Sequence, residues 1–506
     1  MNHKDALLIG IDVGTSATKV VAFTRDGEPL ASVSREYPLS SPKPNWAEQD
    51  PDDWCKATLG ALKEISTKID PNRVAGLSFS GQMHGSVFLD AKDQVIRPAI
   101  LWCDGRTARE CQLAIDTVGR AEFLKTIRNL PLPSFTLPKI LWLREHERAN
   151  YKKLRTVLLP KNYVAFRLCG AKYMDVADGA GTVMMEVGKK RWADGVLEKL
   201  GIDPAILPPV VYSTDVVGGL SAAAAKATGL REGTPIVAGG GDQPVGATGM
   251  GVFEEGQVMI SLGTSGVVFA PTQKTQTGGE QGLASFDHAV PGLSYLMGCV
   301  ISAGGALQWY RNTLCGEEIA EAKKSGRDVY DLLLEAAAQT PLGAEGLLFL
   351  PYLMGERTPH NNPNARGAFF GLSMRHAKPF LTRAVIEGIS FALRDNLELV
   401  KKKGVVPREV RVTGGGARSP FWLQTLADVF GVAVRPIENP EGAALGAAIL
   451  AGVGTEVYKD FAEAARLAIH PKPAVKPIAK NVKMYNGIYE RWRALYPATR
   501  NLLIEH

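Results

Sequence analysis

The first forty residues alternate apolar and polar positions in three successive runs, ALLIGID (6–12), TKVVAF (18–23) and EPLASVSREYPL (28–39). The pattern predicts three adjacent strands, joined by the Gly14-Thr15-Ser16 turn and by Arg25-Asp26-Gly27-Glu28. Asp-Gly between alternating runs is a strong hairpin signal, because its backbone tolerates the turn that matches strand twist. An apolar period of 3.6 then predicts a helix over 51–69, opened by Asp50 as cap and Pro51 at the first helical position. A strand follows at RVAGLSFSG (73–81). This β-β-β-α-β order predicts a layered α/β domain.

A second beginning of the same kind lies about 250 residues downstream, where QVMISLGTSGVVFAP (257–271) again reads strand, Gly-Thr-Ser turn, strand. Two such hairpins imply a duplicated fold. The intervening TPIVAGGGDQPVGATGMGVFEEG (234–256) reads as strand, glycine run, helix of small residues and polar turn, so the domain boundary is expected near 250, giving units 1–250 and 251–506. The second unit contains VRVTGGGARSPFWLQTLADVFGVAVRPI (410–437), a strand, glycine turn, helix and strand. After it come EGAALGAAILAG (441–452), a helix with a small-residue face suited to close packing, and a helical tail expected to pack back on its domain. No low-complexity segment or long linker separates the units, so they are expected to sit tightly together.

Composition narrows the function. With 506 residues, 45% of them apolar, the chain is long enough for two large cored domains, and a formal charge of +6 from 58 basic and 52 acidic residues does not signal a nucleic-acid or polybasic membrane binder. The six cysteines form no C-x-x-C pair or zinc-ribbon spacing and read as buried thiols in a reducing compartment. Asp12 interrupts the N-terminal apolar run before it reaches signal-peptide length, and no apolar stretch is long enough to span a membrane. A cytoplasmic protein is expected.

Neither a P-loop nor a clean G-x-G-x-x-G after the first strand is present. In their place stand the two Gly-Thr-Ser hairpins. Gly14 and Gly263 permit tight turns, while Thr15, Ser16, Thr264 and Ser265 supply hydroxyls and amide N–H groups in a concavity suited to polyphosphate; the plain alternative is an ordinary hairpin. Asp12, just before the first turn, is a candidate Mg²⁺ ligand acting through the ion's water shell. Asp242 ends the glycine run at the carboxyl end of a strand, where α/β sheets present ligands and catalytic groups; it reads equally as the cap of the following helix. Gly414-Gly415-Gly416-Ala417 and Gly304-Gly305 offer bare backbone against which a nucleotide could lie, or simply tight strand-to-helix connections. His84 in Gln82-Met83-His84-Gly85 sits at a strand end, as a sugar hydrogen-bonding group or a satisfied structural histidine. Trp102, Asp104 and Arg106 form a polar cluster that is also readable as a loop.

The set DVGTSATK, GQMHG, GGGD, SLGTSG, GERTPHNNP and GGGAR, in this order and at these separations, closely resembles the FGGY carbohydrate kinases, and within them the xylulokinase branch. The likeness runs from about residue 7 to about 450. SFTLPKILWLREH (134–146) resembles the family's first signature and LPYLMGERTPHNNPNARGAFFGL (350–372) its second. The resemblance implies two actin-like, ribonuclease-H-like ATPase domains around an interdomain cleft, sugar on the first and ATP mainly on the second. It implies ATP-dependent phosphorylation of a ketopentose, D-xylulose at O5, with ATP and Mg²⁺ required. Asp242 takes the place of the catalytic base and Met83 with His84 that of the substrate-contacting pair, with Trp102, Asp104 and Gln243 nearby. Asp12, Gly14, Thr15 and Ser16 correspond to the first phosphate motif, Gly263, Thr264 and Ser265 to the second, and Gly304, Gln308, Gly415, Gly416 and Ala417 surround the nucleotide; Asp12 and Asp242 face the metal.

Three positions depart from the xylulokinase pattern. Gln243 stands where Asn is common, Cys103 stands between Trp102 and Asp104 where Asn is usual, and Phe380 replaces an acidic or amide residue in the second signature. The first two lie near the expected sugar site and keep ribulose, a tetritol, a pentitol or glycerol open as substrate, although Met83-His84 replaces the Arg-Glu pair expected for glycerol. A non-metabolic actin-like ATPase would lack sugar dependence, and a chaperone would need a peptide-binding domain that has no counterpart here. A sugar-sensing regulator would need a DNA-binding module, which the early first strand leaves no room for. The partners expected are therefore a small sugar and ATP, with the C-terminal helix a candidate homodimer contact.

Overall fold

The structure is a computed structural model that describes residues 5–279, 281–437 and 441–502. Met1–Lys4, the start of the segment read above for targeting, and 503–506, the end of the tail, lie outside the described residues. In the first half, β1 (Leu7–Val13), β2 (Ala17–Thr24) and β3 (Pro29–Glu36) form the expected antiparallel meander. Helix α1 (Pro51–Ser66) starts as expected, with the Asp50 side chain accepting from the Asp52 N–H and Pro51 in the first turn; it ends three residues early. Strand β4 (Val74–Gly81) lies parallel to β1, and β6 (Pro235–Gly241), flanked by the edge strand β5 (Val216–Gly219), lies parallel to β4. The strand order is β5-β6-β4-β1-β2-β3.

Helix α2 (Asp242–Gly249) carries the chain out of this sheet, and the second sheet repeats the plan. Strands β7 (Gln257–Leu262), β8 (Gly266–Thr272), β9 (Ala284–Asp287) and β10 (Ser294–Val300) pair antiparallel, followed by α3 (Gly304–Leu314) and the long α4 (Lys378–Lys402). Then β11 (Glu409–Thr413), α5 (Pro420–Phe430) and β12 (Val434–Pro436) extend the parallel side, in the order β9-β10-β8-β7-β11-β12. The third, second, first, fourth and fifth main strands are therefore neighbours in the same sequence in both sheets, which bears out the duplication.

Strand β1 is apolar at nearly every position because both its faces are covered. Leu7, Ile9 and Ile11 pack with Trp54, Ala61, Leu62 and Ile65 of α1, whereas Leu8 packs with Ala444, Leu445, Ala448 and Ile449 of α6 (Gly442–Gly454). Thus α6, from the second half, covers the first sheet. Reciprocally, Ala247 and Met250, at the end of α2, pack with Met259, Phe269, Tyr295 and Met297 of the second sheet. The two helices cross so closely that a Cβ on Gly446 would lie 1.8 Å from the Val245 carbonyl oxygen, and one on Gly249 would lie 1.9 Å from that of Gly442. The small-residue face of α6 thus serves the joint between the halves. Helix α7 (Ala479–Thr499) packs back as expected, burying Tyr485, Ile488, Tyr489, Trp492 and Tyr496 in the second core. Among the described residues no helix is long and apolar enough to cross a membrane.

Candidate active site

The carboxyl ends of the parallel strands of the first sheet set out the chemistry. Asp12 pairs in register with Ser80, and Ser80 pairs in turn with Gly240, so Asp12 and the residue following Gly241 share one sheet edge with a single strand between them. Strand spacing makes that about 10 Å of backbone separation, a distance two carboxylate side chains readily close. Asp242 is the first residue of α2; the capping position belongs to Gly241, and no side chain caps this helix. The cap reading of Asp242 is thereby overturned, and its carboxyl is not committed to the helix end.

Burial is the largest influence on Asp242 and the negative charge of Asp12 the next; together they raise its pKa to about 7, against hydrogen bonds from the backbone and side chain of Gln243. The residue is nevertheless only half-buried by exposed area, as a group at the edge of a cleft should be. Asp12 is also raised by burial, with Ser80 and Lys19 opposing and Glu441 adding. Its Oδ1 is buried without a hydrogen-bond partner, and Lys19 is held in an ion pair by Glu441. Two converging carboxylates, one with an unpartnered oxygen, fit a hard divalent cation that completes its shell with water and phosphate oxygens. Among the described residues no group of three or more His, Cys, Asp or Glu forms a ready-made protein cage for a metal.

Just beyond β4, Met83 lies against the Gly241 backbone: a Cβ there would meet Met83 Cγ at 2.5 Å, which explains the last glycine before Asp242. His84 is buried, its ring edge-on to Phe135 at 4.8 Å and 6.0 Å from Phe286, which stands on β9 of the second sheet. Burial, then the charges of Lys139 and Arg357, hold its pKa well below the ordinary value, so the ring is neutral. Trp102 is exposed and donates from Nε1 to Thr15 Oγ1 at 3.0 Å, linking it to the first hairpin turn. Gln82 bonds the Gly14 carbonyl at 3.3 Å and Gln49 Oε1 at 3.1 Å, which ties the same turn to the strand end carrying Met83 and His84.

Asp104 has a different occupation. Its carboxylate is buried, accepts the Ala47 N–H at 2.7 Å and forms a bidentate pair with Arg106, whose guanidinium stacks 3.5 Å over Trp46 and also reaches Glu48. These bonds fix the loop, and Asp104 has its acceptors committed to its own chain, as the loop reading had it. Sequence reasoning missed Asp178, whose two carboxylate oxygens are buried without partners; burial pushes its pKa well above the ordinary value, Lys161 opposing and Asp175 and Asp242 adding. It also missed the fully buried Lys161–Asp175 pair nearby. A buried charge pair has no periodic signature in a sequence.

The second Gly-Thr-Ser turn opens onto a cavity of about 370 Å³. Gly263, Thr264, Gly304, Gln308, Gly415 and Gly416 line it together, with Leu262, Leu307, Asp328, Tyr330, Asp331, Leu334, Arg418, Ser419 and Trp422. Ser265 and Ala417 do not; Ala417 packs on the second core. Gly304 and Gly305 are the first two residues of α3, and their N–H groups bond the Gly263 and Thr264 carbonyls at 2.9 Å. A Cβ on Gly304 would fall 2.5 Å from the Gly263 carbonyl oxygen, so this junction requires glycine. Tyr330 and Trp422 give the cavity flat aromatic walls and Leu334 an aliphatic one. They lie in amphipathic helices, and nothing local in the sequence separates them from core residues.

The model of the FGGY family of carbohydrate kinases matches the chain with its N-terminal domain over residues 7–249 and its C-terminal domain over 258–455. A xylulose kinase of Escherichia coli (strain K12) is 39% identical over 495 residues, 97% of this chain and 98% of the relative. A gluconokinase of Bacillus subtilis (strain 168) is 32% identical over 457 residues, 90% and 88% of the two chains. The crystal structure of a xylulose kinase from Rhodospirillum rubrum superposes with a TM-score of 0.91 at 28% identity, covering 98% of this chain and 99% of that one. The duplicated sheets are accordingly the actin-like ATPase fold, and the chain belongs to the FGGY family of carbohydrate kinases.

Proposed function

We propose that this kinase transfers the γ-phosphoryl group of ATP to O5 of D-xylulose, with Asp242 as general base. The observation that carries the reading is Asp242 itself, a carboxyl at the cleft edge whose pKa of about 7 suits proton abstraction near neutral pH. Asp242 takes the proton of the attacking hydroxyl at its carboxylate, and Gln243 holds that carboxylate by a side-chain hydrogen bond. Met83 and His84 orient the ketose, His84 through a neutral ring, and Trp102 and Gln243 border it. In this reading residues 1–250 bind the sugar and 251–506 bind ATP: Gly14, Thr15 and Ser16 meet the terminal phosphates from one side, and Gly263, Thr264 and Ser265 from the other. The orphaned Asp12 Oδ1 and the Asp242 carboxylate would hold Mg²⁺, which when bound neutralises phosphate charge. Phosphoryl transfer asks for alignment and charge stabilisation, so closure of the halves also serves by excluding water. All six cysteines are free thiols, in keeping with work in a reducing, cytoplasmic compartment, but only Cys55, Cys111 and Cys315 are buried as expected; Cys103 is exposed and Cys169 and Cys299 are half-buried.

Gln243 and Cys103 border the sugar region, and together with the gluconokinase likeness they favour testing an aldonate as a second acceptor. The deciding experiment is ADP release measured with D-xylulose, D-ribulose, pentitols, tetritols, glycerol and gluconate. D-Xylulose should give the highest kcat/KM. A larger value for another acceptor replaces the substrate and leaves the kinase; ADP release that no acceptor stimulates overturns the assignment of a metabolic kinase.

A further inference from the structure

His84 stands in a conformation its residue type rarely adopts. Its φ of 68° lies in the left-handed region, where a non-glycine residue persists when its surroundings over-determine it. What holds it is one short segment. Phe135 meets the ring edge-on at 4.8 Å. One residue later, Thr136 donates from Oγ1 to the His84 carbonyl at 3.2 Å. Three residues further, on the same helix (Thr136–His146), Lys139 donates from Nζ to that carbonyl at 2.8 Å and back to the Ser134 carbonyl at 2.7 Å, closing the segment on itself.

Lys139 is fully buried, and its ammonium has no carboxylate within ion-pair distance among the described residues. Desolvating an ammonium without a paired carboxylate is unfavourable by several kcal/mol. Burial accordingly lowers its pKa to about 7, with Asp104 the largest opposing influence. Against that cost, what Lys139 contributes is the pair of carbonyl bonds it makes.

We propose that Lys139 is a positioning residue for the sugar: by clamping the His84 carbonyl together with Thr136, it fixes the left-handed backbone that aims the His84 ring at the substrate. The proposal rests on His84 contacting the sugar, as read above. In this reading Lys139 acts on the sugar through the His84 carbonyl, so its loss should be felt at the sugar and not at ATP.

The test compares Lys139→Met, Thr136→Val, His84→Ala and the double variant His84→Ala with Lys139→Met, measuring KM for D-xylulose and for ATP separately. Lys139→Met is expected to raise the sugar KM at least tenfold and the ATP KM less than twofold, Thr136→Val to act in the same direction more weakly, and the double variant to be no worse than His84→Ala. Where Lys139→Met does not fold, Lys139→Ala assayed with added ethylamine serves instead, with partial recovery of the sugar KM expected as the amine occupies the vacated space. Equal losses on both substrates, effects that multiply in the double variant, or no recovery with amine overturn the proposal. A normal sugar KM in His84→Ala removes the reading of His84 and the proposal with it; an impaired His84→Ala beside an unimpaired Lys139→Met removes the proposal alone.

Discussion

The crossing of α2 and α6 gives a sharp quantitative expectation for Gly446→Ala. The added methyl would sit 1.8 Å from the Val245 carbonyl oxygen, 2.8 Å from its carbon and 2.9 Å from the Gly249 nitrogen. All three are backbone atoms, so no rotamer change relieves the clash, and the helices must part by at least about 1.2 Å. Overpacking of this kind typically destabilises by about 1–3 kcal/mol, and the backbone partner puts this site near the top of that range. Helix propensity returns about 1 kcal/mol, leaving a net loss of about 2 kcal/mol. Gly487→Ala on α7 is the matched control: no atom lies within 4 Å of its added methyl, so only the propensity gain of about 1 kcal/mol remains. Urea unfolding followed by tryptophan fluorescence should place the first transition of Gly446→Ala well below wild type and that of Gly487→Ala at or above it. Because α2 begins with Asp242, Gly446→Ala should also lower kcat, and Gly487→Ala should not. A Gly446→Ala protein as stable and as active as Gly487→Ala would refute the close-packed joint between the halves.

Four further outcomes follow from the site. As the proposed base, Asp242 must be deprotonated to act, and its pKa is raised to about 7, so log kcat/KM for the sugar should climb with pH and level off above about 7. The same shift means the folded protein loses stability as pH rises through about 7. Asp12→Asn removes the charge that helps raise this pKa, so its acid limb should move to lower pH even as turnover falls; an unmoved limb would separate the two carboxylates. Gly415 lines the cavity proposed for the nucleotide, with open space around its Cβ position, so Gly415→Val should raise the ATP KM at least tenfold and leave the unfolding midpoint and sugar KM nearly unchanged. An unaltered ATP KM in that variant would remove the nucleotide from this cavity.

Local features were readable in the sequence because their physics is local. The Asp26-Gly27 turn, the Asp50-Pro51 helix start and the paired Gly-Thr-Ser hairpins each carry their own signal, and two hairpins of one kind suffice to imply the duplicated sheet. What the sequence left open depended on distant partners. The small residues of α6 announce close packing but not that the surface they meet is the first sheet and α2, more than 190 residues away in sequence. Asp242 fits a cap or a first-turn residue equally until the backbone assigns the cap to Gly241. Asp104 offers the same polar atoms to a sugar as to Arg106, and only the fold gives them to Arg106. Lys139 reads as one more polar position in a helix, because nothing in its neighbours reveals that the helix is buried almost all round.

The most direct test of Asp242 as the base is single-turnover phosphoryl transfer by Asp242→Asn beside nucleotide affinity measured by calorimetry. Loss of a general base typically lowers the rate ~10²- to 10⁴-fold, so the chemical step should slow by at least about a hundredfold while ATP still binds within a few-fold of wild type. A variant that transfers phosphate at near the normal rate, with its acid limb near pH 7 intact, would contradict the account.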